Sequence, residues 1–177
     1  ILKDFYGLPS DPVWINQIHS SKCVNASLIK SNVDADASFT KDLGVVCAIL
    51  TADCLPVFIS TRDGLIVGVA HAGWRGLISG EIENLINSFD SSGDDLVVHL
   101  GPAISMRSLE VGEEIKDIYL SKNIAFVRSF SIHNNKHYLD LYDAAKIILE
   151  RFKISSISGG DRCTFKEANH FFSYRRD

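Results

Sequence analysis

Apolar positions along this chain fall into short runs separated by turn residues, and two neighbouring runs stand out. Residues 55–60 and 65–70 are apolar and β-prone, and Thr61-Arg62-Asp63-Gly64 lies between them. Such a pair predicts a β-hairpin. Residues 13–19 alternate along a strand pattern, with Val13, Ile15, Gln17 and His19 on one side. The pattern predicts a short strand over 23–29, an acidic turn at 33–37, and a strand over 44–51 that is apolar on both faces and therefore buried from both sides. Helical spacing recurs at Leu77, Ile78, Ile82, Leu85, Ile86 and Phe89, which predicts one amphipathic helix over 77–89. Further along come a strand at 96–100, a helix at 112–120 and a hairpin of 125–132 with 136–141 around Asn134-Asn135. A last helix reaches Phe152 and is capped by Asp140 or Asp143. Residues 1–12 read as irregular. Strands outnumber helices and hairpins alternate with single helices, which predicts an α+β fold with mixed sheets.

The first hairpin carries chemistry at its open end. A turn centred between Arg62 and Asp63 places Cys54 directly opposite His71, and opposed residues have Cβ atoms roughly 4.5–5.5 Å apart. A thiol and an imidazole at that separation suit two roles, a shared metal ion or a nucleophile with its base. His19, at the end of its strand beside Ser20-Ser21-Lys22, is a third candidate ligand. The metal needs that third ligand; the nucleophile does not. Asp53 beside Cys54, together with Asp36, supplies carboxylates able to orient ligands. Trp74-Arg75 offers a stacking face and a guanidinium to a planar or anionic substrate. Each residue also has an ordinary reading: a buried Cys as a small hydrophobe, Trp74 as core, Arg75, Arg175 and Arg176 as solvated charges.

Composition narrows the choice of partners. The chain has 177 residues and a net charge of −4 without a long basic run, so nothing recommends nucleic acid or an anionic membrane. No apolar stretch approaches the roughly 18 residues that span a bilayer. Cys23, Cys47, Cys54 and Cys163 lack paired spacing, and the N-terminus lacks a signal-peptide pattern, which together predict reduced thiols and a cytoplasmic protein. Nothing in the sequence sets an oligomeric state.

Longer motifs then break the tie between metal and nucleophile. Gln17-Ile18-His19, Asp36-Ala37, Thr51-Ala52-Asp53-Cys54-Leu55-Pro56-Val57, His71-Ala72-Gly73-Trp74-Arg75-Gly76, Gly101-Pro102-Ala103-Ile104, Glu110-Val111-Gly112, Cys163-Thr164 and Phe172-Ser173-Tyr174-Arg175-Arg176 resemble, in order, the motifs of the YfiH-like family, also called laccase-domain or polyphenol oxidase proteins. The resemblance implies a single YfiH-like domain over 1–177, an α+β sandwich with mixed β-sheets and flanking helices, lacking segments that the family usually carries at both ends. It implies a metal on His19, Cys54 and His71. Similar proteins are read either as copper-dependent phenol oxidases or as purine nucleoside enzymes that cleave adenosine, inosine, guanosine or methylthioadenosine with phosphate and deaminate adenosine. One thiolate with two imidazoles suits zinc, with copper the alternative. The expected enzyme is thus a zinc-dependent purine nucleoside phosphorylase with adenosine deaminase activity. Its expected catalytic residues are Cys54, His71, Asp53 and Arg75, the last holding phosphate; a metal-free Cys54 hydrolase is the further alternative. Near Gly101 the family tends to carry Gly and Cys where this chain has Ser105 and Ser108.

Overall fold

The computed structural model describes residues 2–177. Helix α1 (Leu2–Tyr6) is followed by strands β1 (Cys23–Asn25), β2 (Ala37–Thr40), β3 (Leu55–Thr61) and β4 (Val67–Ala72), then helices α2 (Trp74–Ser79) and α3 (Glu81–Asn87). Next come β5 (Leu96–Leu100), β6 (Glu110–Val111), α4 (Glu113–Lys122), β7 (Phe130–His133), β8 (Lys136–Leu139), α5 (Leu141–Arg151) and β9 (Ser156–Gly159). Among the described residues the strands form a six-stranded mixed sheet, β1-β2-β4-β3-β5-β9, and a three-stranded antiparallel sheet, β6-β8-β7. This is the expected α+β fold with mixed sheets.

The hairpin β3–β4 lies at the centre of the larger sheet, paired outward to β2 on one side and β5 on the other. Its apolar runs are buried because both flanks and at least one face are covered: Leu55, Val57, Ile59, Val69 and Ala70 are all 2% exposed or less. The helices contribute Ile82, Leu85, Ile86 and Phe89 from around α3, and Ala144, Ala145, Ile148 and Leu149 from α5, to the same core. The side chain of Asp140 caps α5 by accepting from the N–H groups of Tyr142 and Asp143. Asn134 and Asn135 both adopt left-handed backbone, with φ of 49° and 60°, as a two-residue hairpin turn requires.

The register of the central hairpin differs from expectation by two residues. His71 faces Pro56, and Leu55 faces Ala72. The cause lies in the turn, where Thr61 N–H donates to the Ile66 carbonyl and Gly64 N–H to the Thr61 carbonyl. Thr61 Oγ1 donates to Asp63 Oδ1, which also accepts from Leu65 N–H. These bonds close a four-residue loop, 62–65, with Gly64 at φ 73°, and displace every pair by two positions. A shift of two preserves the alternation of faces, whereas a shift of one would have reversed it.

Other expectations also change. Residues 13–19 and 44–51 form no ladder; a single isolated bridge, Val13 to Cys47, links them, and Asn16 makes another to Asp34. The 44–51 run is half-buried, ending at a Leu50 that is 70% exposed, and it is held through the Gln17 amide, which bonds both N–H and C=O of Leu50. The 77–89 helix is two helices, broken where Gly80 takes φ 91°. The acidic turn runs directly into β2, residues 124–129 are a 3-10 helix before β7, and residues 2–6 are helical. Strand β9 was not expected; it adds in parallel to β5.

Candidate metal centre

His19, Cys54 and His71 converge, their candidate ligand atoms all within 4.8 Å of one another. Cys54 Sγ lies 4.0 Å from His19 Nε2, and the two imidazoles meet edge to face with centroids 4.8 Å apart. The convergence survives the shifted register. Continuing the ladder by one pair sets Cys54 across from Gly73, and a Cβ on Gly73 would come 2.8 Å from Cys54 Sγ. The absence of a side chain at Gly73 is what lets the thiol reach diagonally toward His71.

Asp36, fully buried just before β2, organises both histidines. Its carboxylate accepts from the backbone N–H groups of Ile18 (3.2 Å), His19 (2.9 Å) and Ser20 (2.5 Å) and from the Ser20 hydroxyl (2.8 Å). Three successive N–H groups wrapped on one carboxylate hold the chain in the bend where His19 takes φ 59°. Asp36 Oδ1 also lies 3.0 Å from His71 Nδ1. A carboxylate there keeps the proton on Nδ1 and turns the lone pair of Nε2 toward the cluster. Burial raises the Asp36 carboxyl, but hydrogen bonds from His71, Ser20 and His19 outweigh it and hold the group below its ordinary value. Burial depresses His71, against the opposing pull of Asp36, so its ring is neutral at pH 7, as a ligand must be.

Burial, then the neighbouring Glu81, Asp53 and Asp36, push the Cys54 thiol up to about 11, with Arg75 pulling the other way. Such a thiol is a weak nucleophile in the metal-free protein, which disfavours the hydrolase alternative. In metal-free protein at pH 7.5, Cys54 is expected to react with iodoacetamide at least about tenfold more slowly than an ordinary exposed thiol, because its thiolate fraction is small and the greater nucleophilicity of that thiolate offsets only part of the loss; peptide mass mapping of alkylation against time measures this. Rapid labelling would restore the nucleophile.

The donor set fits a metal. Bond lengths near 2.3 Å for sulfur and about 2.0–2.1 Å for nitrogen put tetrahedral ligand atoms roughly 3.5 Å apart, about an ångström inside the present limit. His19 is exposed and the cluster opens into a cavity of about 780 Å³, lined also by Trp74, Arg75, Tyr174 and Arg175. Tyr119, buried against Phe126 and Phe130, donates to the Trp74 carbonyl at 2.7 Å and braces that wall.

Asp53 lies in the cavity lining but its carboxylate is engaged. Oδ1 accepts from Thr164 Oγ1 at 2.6 Å, and Oδ2 from Ser173 Oγ at 3.0 Å and Arg175 N–H at 2.8 Å. Arg75 is exposed, its guanidinium 4.1 Å over the Trp74 ring. Arg176 is no solvated charge: it donates to the carbonyls of Thr164, Phe165 and Phe171 and clasps the tail.

Sequence reasoning missed Glu81. It is fully buried, neither carboxyl oxygen has a hydrogen-bond partner among the described residues, and a Cβ on Gly76 would overlap it. Burial, with Asp36 nearby, raises it to about 9, so it is a neutral acid at pH 7 behind the cluster. The signal was its spacing: four after Leu77 and four before Leu85, Glu81 falls on the apolar stripe, where an acid has no solvent.

Comparison with known proteins extends over the whole chain. Residues 1–177 match the family model described as "Multi-copper polyphenol oxidoreductase laccase". The chain is 40% identical over 171 residues to the purine nucleoside phosphorylase YfiH of Escherichia coli K12, covering 96% of this chain and 70% of that protein. It is 36% identical over 181 residues to a purine nucleoside phosphorylase of Haemophilus influenzae, covering 74% of it. A crystal structure of a Neisseria meningitidis protein of the DUF152 family superposes with a TM-score of 0.94 at 40% identity, over 99% of this chain and 73% of that one. YlmD of Geobacillus stearothermophilus gives 0.85 at 25% identity, over 99% and 72%.

Proposed function

The chain belongs to the multi-copper polyphenol oxidoreductase laccase family, and from that premise we propose that it is a zinc-dependent purine nucleoside phosphorylase that also deaminates adenosine. The observation carrying this reading is a single His19–Cys54–His71 cluster at the side of a cavity with room for a nucleoside and an anion. Relatives bearing the phosphorylase name support it. His19, Cys54 and His71 hold the metal, which when bound supplies Lewis-acid polarisation of an oxygen and lowers the pKa of water toward roughly 7. Asp36 fixes the tautomer of His71. Trp74 and Tyr174 give the purine apolar faces, and Arg75 holds phosphate against the ribose C1′. Phosphorolysis joins phosphate to C1′ as the bond to the purine nitrogen breaks, giving ribose 1-phosphate and free base. Deamination replaces the C6 amino group of adenosine with oxygen from water, releasing ammonia. The enzyme is assigned to the cytoplasm and acts on small molecules; among the described residues no helix is long and apolar enough to cross a membrane, and all four cysteines are free.

Copper phenol oxidation is the second reading, because the family's description names copper and two imidazoles with a thiolate also make the equatorial set of blue-copper sites. Such sites usually carry a further weak ligand from Met or Gln, whereas Met106, the chain's one methionine, lines a different cavity and the Gln17 amide is engaged by Leu50. Metal analysis of protein purified without added metal, paired with adenosine assays with and without phosphate, separates the two. The expected result is one zinc per chain, phosphate-dependent adenine release and phosphate-independent inosine formation. Copper with phenol oxidation and no nucleoside cleavage would reverse the assignment.

A further inference from the structure

We infer that Arg175 joins Arg75 as the anion-binding side of the cavity, and that Asp53 is the positioning residue that delivers it. The inference rests on the phosphorolytic reading for the identity of the anion. Among the described residues Arg62 and Arg107 have no carboxylate partner but do not line this cavity; Arg128, Arg151, Arg162 and Arg176 each pair with a carboxylate. The two arginines of the cavity lining do not: among the described residues neither has a carboxylate within ion-pair distance. Arg75 rests on the Trp74 ring. The Arg175 guanidinium reaches only the Glu110 carbonyl, through two contacts that are both long at 3.4 Å.

Two guanidiniums without counter-charges, facing one cavity from separate parts of the chain, suit a tetrahedral oxyanion that each can grip with paired N–H donors. A purine nucleoside is neutral, so phosphate is the substrate that answers this charge. Adjacent arginines have divided the work. Arg176 is spent on tail carbonyls and on Asp177, which fixes the backbone and leaves Arg175 to the cavity. Asp53 completes the arrangement by accepting the backbone N–H of Arg175 itself, together with the Ser173 and Thr164 hydroxyls. With both oxygens so engaged, Asp53 serves as an anchor for the arginine, and proton transfer falls to another group.

Inorganic phosphate is the probe, by ³¹P NMR titration of the metal-loaded protein and by its KM in the nucleoside assay. Arg175→Gln is expected to weaken phosphate binding about tenfold or more, the scale of one charge-assisted contact, while moving the nucleoside KM far less. Arg175→Lys should recover part of the loss. Asp53→Asn presents an amide donor to a ring of donors and should weaken phosphate in parallel. Arg175→Gln, on an exposed side chain, tests the inference even where Asp53→Asn fails to fold. Wild-type phosphate affinity in Arg175→Gln, a selective loss of nucleoside affinity, or a wild type that binds no phosphate would each overturn it. Phosphate binding that depends on Arg175 in a protein without phosphorolytic turnover would uphold this inference and reject the reaction proposed above.

Discussion

Cys54→Ala protein is expected to purify folded but without stoichiometric metal, and to lose roughly 10³-fold or more in kcat/KM for adenosine. The cluster has three donors, and Cys54 is the one that brings negative charge. Deleting it leaves two neutral imidazoles, one of them exposed on a bend, to hold a divalent cation. The fold has little reason to suffer: Cys54 follows the turn at Asp53 outside the ladder of β3, and its sulfur has no backbone partner that is orphaned by its loss. Elemental analysis after dialysis, circular dichroism and the nucleoside assay form the test together. A folded variant that retains one metal per chain would remove Cys54 from the ligand set.

The second large effect belongs to a residue outside the cluster. Asp36→Asn is expected to lower metal affinity about 10- to 100-fold and stability by about 2–5 kcal/mol. Five donors converge on the Asp36 carboxylate, and an amide can accept with only one of its two heavy atoms. If the amide nitrogen faces His71, Nδ1 must accept, the proton moves to Nε2, and the ligand lone pair is lost. If it faces the bend instead, N–H groups of residues 18–20 lose their acceptor and His19 loses its place. Chelator competition measures the first cost and urea unfolding the second; near-native values for both would show that the carboxylate organises neither histidine. The wild type carries a matching pH signature. Asp36 ionises at lower pH in the folded protein than its ordinary 3.8, so its stabilisation is complete above that value and disappears as pH falls through the folded value.

What could be read from residues alone was what depends on neighbours in the chain. The turn at Asn134-Asn135, the Asp140 cap and the stripe of α5 each rest on contacts within a few positions. His19, Cys54 and His71 were legible because their motifs are local. The hairpin register was not, because it depends on which side chain Thr61 bonds within the turn, and both candidate turns satisfy the same apolar alternation. The strands expected over 13–19 and 44–51 make only isolated bridges: alternation in the first and a continuous apolar run in the second mark segments that can pair, and the edges of the sheet are β1 and β9 instead. Asp53 is read as a catalytic candidate beside Cys54; its engagement by Thr164, Ser173 and Arg175 is invisible there because it joins residues no periodicity connects.

That engagement also bears on the order in which the molecule assembles. Contacts that build the metal-binding floor span 35 residues or fewer: Cys54 to His19, His71 to Asp36, and Asp36 to the bend at His19. Those that fasten the arginine-bearing wall to Asp53 span 111, 120 and 122 residues. Closing the longer loops costs only about 1 kcal/mol more in chain entropy, yet contacts of such separation are the slow ones in folding. The wall is therefore expected to close after the floor, with Asp53 as the joint between them.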